Sequence, residues 1–354
     1  MTAPGATNDV ESILAAAVAH ERSADWYAAE LAFTEVFRYG VEQRNTSAIV
    51  DALRGQSRVY QRMDRFGEAE EVAEASLEIA DRAGLPRAAA RAMNTLAAIR
   101  HLQNDWDGAQ ERYAAAIQRA LDSGDDALIG WTYQNIAVFE QMRGDIRVAR
   151  MSCLESVASS VRSGDPVAAV AAYNSLGVIS GDLGDWTEAL LYFDRGMEVA
   201  EQFGDVAMSS TLGTNRAEAL IHLGELDRAL EALSSAGEQI IRTGDHRRQV
   251  DLYRFRATIC RLREDFDAAE SHVQQAIALA EASGFDLERA EAVEECAHLR
   301  WAQGRHGAAR MLLREAEHLF HEMGARTDLA RLEEQQSQWA AHASDGSEPA
   351  GGVP

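Results

Sequence analysis

The feature that most constrains this chain is a period of 40 residues. Counting from Ala29 in steps of 40 gives Ala69, Ala109, Ala149, Ala189, Ala229, Ala269 and Ala309, an alanine every time. Twelve residues before each of these runs a second small lane: Ala17, Ser57, Ala97, Ala137, Gly177, Ala217, Ala257 and Ala297. Seven residues after each runs a third: Val36, Ser76, Ala116, Ser156, Gly196, Ala236, Ala276 and Ala316. Fifteen residues after, from the second repeat onward, stand Gly84, Gly124, Gly164, Gly204, Gly244, Gly284 and Gly324. Four lanes in phase without an insertion mark stacked copies of one unit, each too small to bury a core of its own.

The units read as helical. A lane of Ala19, Val59, Ile99, Phe139, Ile179, Ala219, Ile259 and Leu299 runs between the small lanes, with no strand-like alternation. The residue three before each lane alanine, such as Trp26, Phe66, Trp106 or Trp186, is expected to open the second helix of a hairpin. The glycine lane closes that helix in a left-handed conformation, and Asp165-Pro166 reads as N-cap and first residue of the next. Trp26, Trp106 and Trp186 are assigned to the core on packing grounds. The fold expected is all-α, a right-handed α-solenoid of eight helical-hairpin repeats plus a C-terminal capping helix. Residues 1–7 are expected to be a disordered N-terminus, 8–325 the eight repeats, 326–342 the capping helix begun by Thr327 or Asp328, and 343–354 a disordered tail.

These residues carry a resemblance. Leu176-Gly177, followed by Ala189, Phe193 and Gly196, with Tyr173 as the leading aromatic, is similar to the tetratricopeptide pattern. The 40-residue period resembles the arrays of kinesin light chain, Pins-type adaptors, and bacterial MalT-like and Rap-like regulators. The resemblance spans about 8–325. It implies a binding scaffold whose first helices line a concave groove.

Charge and composition narrow the function. All 34 basic residues are Arg, against 57 acids, for a formal net charge of −23. That argues against a nucleic-acid partner, which calls for a basic face. It also removes the lysine that phosphate-loop and Schiff-base enzymes use. No apolar run approaches the roughly 18 residues of a membrane span. The three cysteines, an odd number, fit reduced thiols in a cytoplasm, and the N-terminus has neither the basic start nor the apolar core of a signal peptide. His318, His321 and Glu322 lack a further ligand at metal-site spacing, so neither metal nor cofactor is expected.

One stripe of the first helices is mixed polar and is expected to be exposed in the groove. Arg54, Arg58 and Arg62 stand one turn apart on one helix, and Arg91 follows in the next repeat. Like charges at that spacing repel, so they are either paired with acids of neighbouring helices or form a site for carboxylates or phosphates. Asn94, Asn135, Asn174 and Asn215 recur in consecutive repeats with Gln134 beside them, and amides can hold an extended peptide backbone. The alternative for these amides is a bond that fixes the hairpin. Trp131 is a candidate anchor on the same stripe, and Arg254 and Arg261 are its cations in repeat seven. The reading is a non-catalytic, cytoplasmic scaffold or adaptor for a protein or peptide segment, acidic where it meets the N-terminal half of the groove. A peptide- or metabolite-sensing regulator that changes pitch is the alternative, and an enzyme or accessory subunit the third.

Overall fold

The structure, a computed structural model, describes residues 6–22, 25–103, 105–323 and 325–344. Among them there are 17 helices and no strand. The first helices of successive pairs are α1 (Ala6–Arg22), α3 (Thr46–Arg62), α5 (Pro86–Leu102), α7 (Asp126–Arg143), α9 (Pro166–Asp182), α11 (Val206–His222), α13 (His246–Leu262) and α15 (Asp286–Ala302). The second helices are α2 (Trp26–Glu42), α4 (Phe66–Arg82), α6 (Trp106–Ser123), α8 (Ile146–Ser163), α10 (Trp186–Phe203), α12 (Leu226–Thr243), α14 (Phe266–Ser283) and α16 (His306–Met323). A last helix, α17 (Arg326–Ser344), follows the eighth pair.

Every second helix starts on the residue three before its lane alanine. The reason is visible at the preceding residue. Asp25, Asp105, Asp185 and Asp265 each accept a hydrogen bond from the backbone N–H three residues on, at 3.0–3.2 Å. The first helices are capped in the same way by Asn45, Asp125, Asp165, Asp205 and Asp245. At the other end Gly84, Gly124, Gly164, Gly204, Gly244 and Gly284 all have φ between 65° and 70°, the left-handed conformation that costs glycine nothing. In the first repeat Arg44 takes that position, at φ 53°. Gly324, the last of the lane, lies outside the described residues.

The small lanes are buried without exception among the alanines. Where a serine replaces alanine, its hydroxyl donates to a backbone carbonyl: Ser57 to Ala69 at 2.8 Å, Ser76 to Val50 at 3.2 Å, Ser156 to Gly130 at 2.8 Å. A buried hydroxyl is thereby satisfied without breaking the close approach of the helices. Trp26, Trp106 and Trp186 are half-buried, and Trp26 and Trp106 pack against the buried clusters of their repeats. At the turn end of the hairpin they reach the neighbouring first helix, as Trp186 does by stacking on His222 at 3.8 Å.

The chain divides inside α9 into two compact units, Met1–Ile179 and Ser180–Pro354. In the first unit α1 touches α3, α3 touches α5 and α5 touches α7; in the second, α11 touches α13 and α13 touches α15. Among the described residues no two second helices touch. The first helices therefore form the more closely spaced face of each unit.

The ends differ from expectation. Helix α1 begins at Ala6, within the segment expected to be disordered, and α17 continues to Ser344. Thr327 and Asp328 lie inside α17, after its first residue. Residues 1–5 and 345–354 lie outside the described residues. Helix α17 packs on the eighth pair through Leu332 and Trp339, which join Leu313 and Phe320 in one apolar cluster.

Candidate functional site

Three first helices of the first unit line an open cavity of about 500 Å³. Its lining is Arg54, Arg58 and Gln61 of α3; Arg91, Asn94, Thr95 and Ala98 of α5; and Leu128, Trp131 and Asn135 of α7. Each helix contributes residues three or four apart, which is one face of a helix. Two of these helices enter from short polar caps, Asn45 for α3 and Asp125 for α7, so the register of the lining is set at the helix start. The lining holds three guanidiniums and no carboxylate, in a protein of net charge −23.

The three arginines are not equivalent. Arg58 is forked onto Glu21 of α1, Nε and Nη2 each donating at 2.7 Å, a strong bidentate pair. Arg54 makes only a 3.5 Å contact with Asp51 one turn away. Its Nε is buried without a partner. Burial, with Arg58 and Arg91 nearby, pulls its pKa down to about 10. Among the described residues no carboxylate pairs with Arg91. Burial and then Arg87 lower its pKa.

The polar lining is similarly incomplete. Thr95 donates back to the Arg91 carbonyl at 3.0 Å, whereas Asn94 keeps a buried Oδ1 without a partner. The indole N–H of Trp131 donates to Asp165 at 3.0 Å, which pins a ring that is 37% exposed. The cavity therefore offers unpaired cationic donors, one unpaired acceptor and a fixed aromatic ring.

The other sequence-derived candidates fall elsewhere. Arg62 is exposed and outside the lining. Gln134 is buried, and its Nε2 donates to Ser175 at 2.7 Å; it ties α7 to α9 and does not face the cavity lining. Asn174 and Asn215 are half-buried and have partners of their own. In the second unit Arg254 is held by Asp251 at 3.4 Å and Glu291 at 3.1 Å, over the Phe255 ring. Arg261 is forked onto Glu295 at 2.6 and 3.1 Å. Both cations are paired with acids of the array and lie outside the cavity of the first unit. The stripe as a whole is half-buried rather than exposed, because neighbouring first helices lean on one another there.

Sequence reasoning missed Gln61, Thr95, Ala98 and Leu128, which lie one to four residues from the stripe residues named above. Their signal was spacing alone: 91, 95 and 98, or 128, 131 and 135, share a face. Around Arg254 the second unit gathers Glu218, Asp251 and Glu291. Burial, with Asp251 and Glu218 near, pushes the Glu291 carboxyl up to about 7, and burial raises Glu218 as well. Burial pushes the Cys153 thiol up to about 12 and Cys296 to about 11, and raises that of the half-buried Cys260, which disfavours the reactive thiolate. Among the described residues no group of three or more His, Cys, Asp and Glu is placed to hold a metal. No helix there is long and apolar enough to cross a membrane.

Comparison with known proteins bears on the whole array. Sequence models described as tetratricopeptide repeat match residues 48–122 and 207–282, and a second such model matches 170–202. Together they cover more than half of the chain. No curated protein matches in sequence. Among solved structures, a Signal Transduction ATPase with Numerous Domains (STAND) protein with a tetratricopeptide repeat sensor, from Pyrococcus horikoshii, is similar at TM-score 0.64 and 15% identity. That match covers 88% of this chain and 49% of the other, so this chain spans about half the length of the STAND protein. A Rap protein complexed with Competence and Sporulation Factor is similar at TM-score 0.57 and 13% identity, covering 96% of this chain and 99% of that one. A Rap conjugation gene regulator, in complex with a peptide, is similar at TM-score 0.52 and 15% identity, over 77% and 76%. At these identities the likeness is one of fold. With the sequence models, the 40-residue lanes and 17 described helices, the conclusion is plain: this chain belongs to the tetratricopeptide repeat family.

Proposed function

We propose that this chain is a non-catalytic scaffold that holds an extended acidic segment of a protein or peptide against the first helices of its first unit. The observation that carries the reading is the cavity of α3, α5 and α7, with three guanidiniums and no carboxylate in its lining. Burying a cation without a partner is costly, and an incoming carboxylate relieves Arg54 and Arg91 together. Charge-assisted hydrogen bonds of this kind contribute about 1.5–3 kcal/mol each. Asn94 and Asn135 supply amides for the segment's backbone. The Rap regulator of similar fold that is in complex with a peptide supports the choice of a peptide-like partner. Three unpaired thiols support a reducing, cytoplasmic setting.

The test is fluorescence anisotropy with an extended peptide rich in Asp and Glu, against a scrambled basic control. Arg91→Glu is the decisive variant, because Arg91 has no internal pair to lose. It should weaken the acidic peptide tenfold or more at low salt and leave helicity unchanged. Equal binding by wild type and variant would contradict the proposal. Arg58→Glu is a poor probe: it faces Glu21 and disturbs the contact of α1 with α3.

A further inference from the structure

We propose that the same cavity is a binding site for a phosphate monoester that carries a flat ring and a hydrogen-bond donor, a nucleoside monophosphate being the simplest such ligand. This goes beyond the acidic-segment reading and does not rest on it.

Three separate features of the cavity call for three parts of one ligand. The first is anionic. The Arg54 Nε is buried and unpartnered, the Arg91 fork is unpaired among the described residues, and Glu21 takes only Nε and Nη2 of Arg58. A phosphate monoester brings three acceptor oxygens and a charge of about −1.5 to −2 to one point, against the single charge of a carboxylate, and so matches several guanidiniums at once. The nearby carboxylates, Glu21 on Arg58, Asp51 beside Arg54, Asp125 acting on Arg91 and Asp165 on the Trp131 indole, all stand outside the lining. The second is aromatic. Trp131 is fixed by its bond to Asp165 and still lines the cavity, beside Leu128 and Ala98; a pinned, exposed indole face is a stacking surface for a planar ring. The third is a donor. The buried Asn94 Oδ1 lacks one, and the amino and hydroxyl groups of a nucleoside provide it. A volume of about 500 Å³ is ample for such a ligand and far more than a lone oxyanion fills; small-molecule sites run to about 300–1,000 Å³.

Isothermal titration of the full chain at low salt tests this, with adenosine monophosphate as probe and adenosine, inorganic phosphate and glutarate as comparators. Saturable one-to-one binding of the monophosphate is expected, with each comparator at least tenfold weaker. Arg91→Gln should weaken the monophosphate tenfold or more. Trp131→Leu should weaken it about tenfold and Trp131→Phe less than threefold, with helicity by circular dichroism unchanged in all three. A monophosphate no tighter than inorganic phosphate or glutarate, or one indifferent to Arg91→Gln, overturns the proposal. Nucleotide binding by a chain that ignores acidic peptides would sink the segment reading and leave this one standing; the reverse result would sink this one.

Discussion

Arg44, Asp64 and Glu264 sit at φ of 53°, 57° and 62°, in turns where other repeats place glycine. A side chain in that region costs about 1–2 kcal/mol. Arg44→Gly should therefore raise stability by about 1 kcal/mol, and Gly164→Ala, at φ 67°, should lower it by a similar amount; urea unfolding midpoints check both. Glu291 makes a second prediction at this scale. Burial raises its carboxyl to about 7 in the folded chain, above its ordinary value near 4.5. A carboxyl that binds its proton more tightly when folded makes stability fall as pH rises, here between about 4.5 and 7. Glu218 and Asp251 push the same way and Arg254 opposes them. Melting temperature followed from pH 5 to 8 should fall less steeply in Glu291→Gln than in wild type; identical slopes would contradict the assignment.

Helix boundaries were the most legible part of the sequence. The residue before Trp26, Trp106 or Trp186 is an aspartate that caps, and the glycine lane is left-handed where described, because both effects act within four residues and repeat every 40. Lateral contacts were not legible. Arg58 finds Glu21 and Arg261 finds Glu295, 37 and 34 residues away, through the way neighbouring first helices lean together. No lane marks those pairs. The same leaning buries Gln134 against Ser175 while leaving Asn135, the next residue, in the cavity. A one-residue step on a helix turns a side chain by about a quarter of the circle, enough to exchange groove for interior. Of the Arg ladder, the sequence showed three cations on one face; only packing showed that Arg58 is already paired and that Arg91 is not.

Within each unit, helices touch their neighbours along the chain, and first helices also touch the next first helix: α1 with α3, α3 with α5 and α5 with α7 in the first, α11 with α13 and α13 with α15 in the second. Disturbance should then travel from pair to pair. A Cβ on Gly55 would come within 2.2 Å of the Phe33 ring, so Gly55→Ala should cost about 1–3 kcal/mol by overpacking. Hydrogen exchange should quicken first in α2 to α5 and leave α13 to α16 unchanged, whereas uniform loosening would contradict nearest-neighbour stability.

The capture of an acidic segment by the first unit is tested most directly by hydrogen exchange with and without an acidic peptide at saturating concentration. Protection should appear in α3, α5 and α7, centred on Arg54, Arg91 and Asn135, and should be lost in Arg91→Glu. Protection confined to second helices or to the second unit, or none at a concentration where anisotropy reports binding, would place the partner elsewhere and contradict the role given to this cavity.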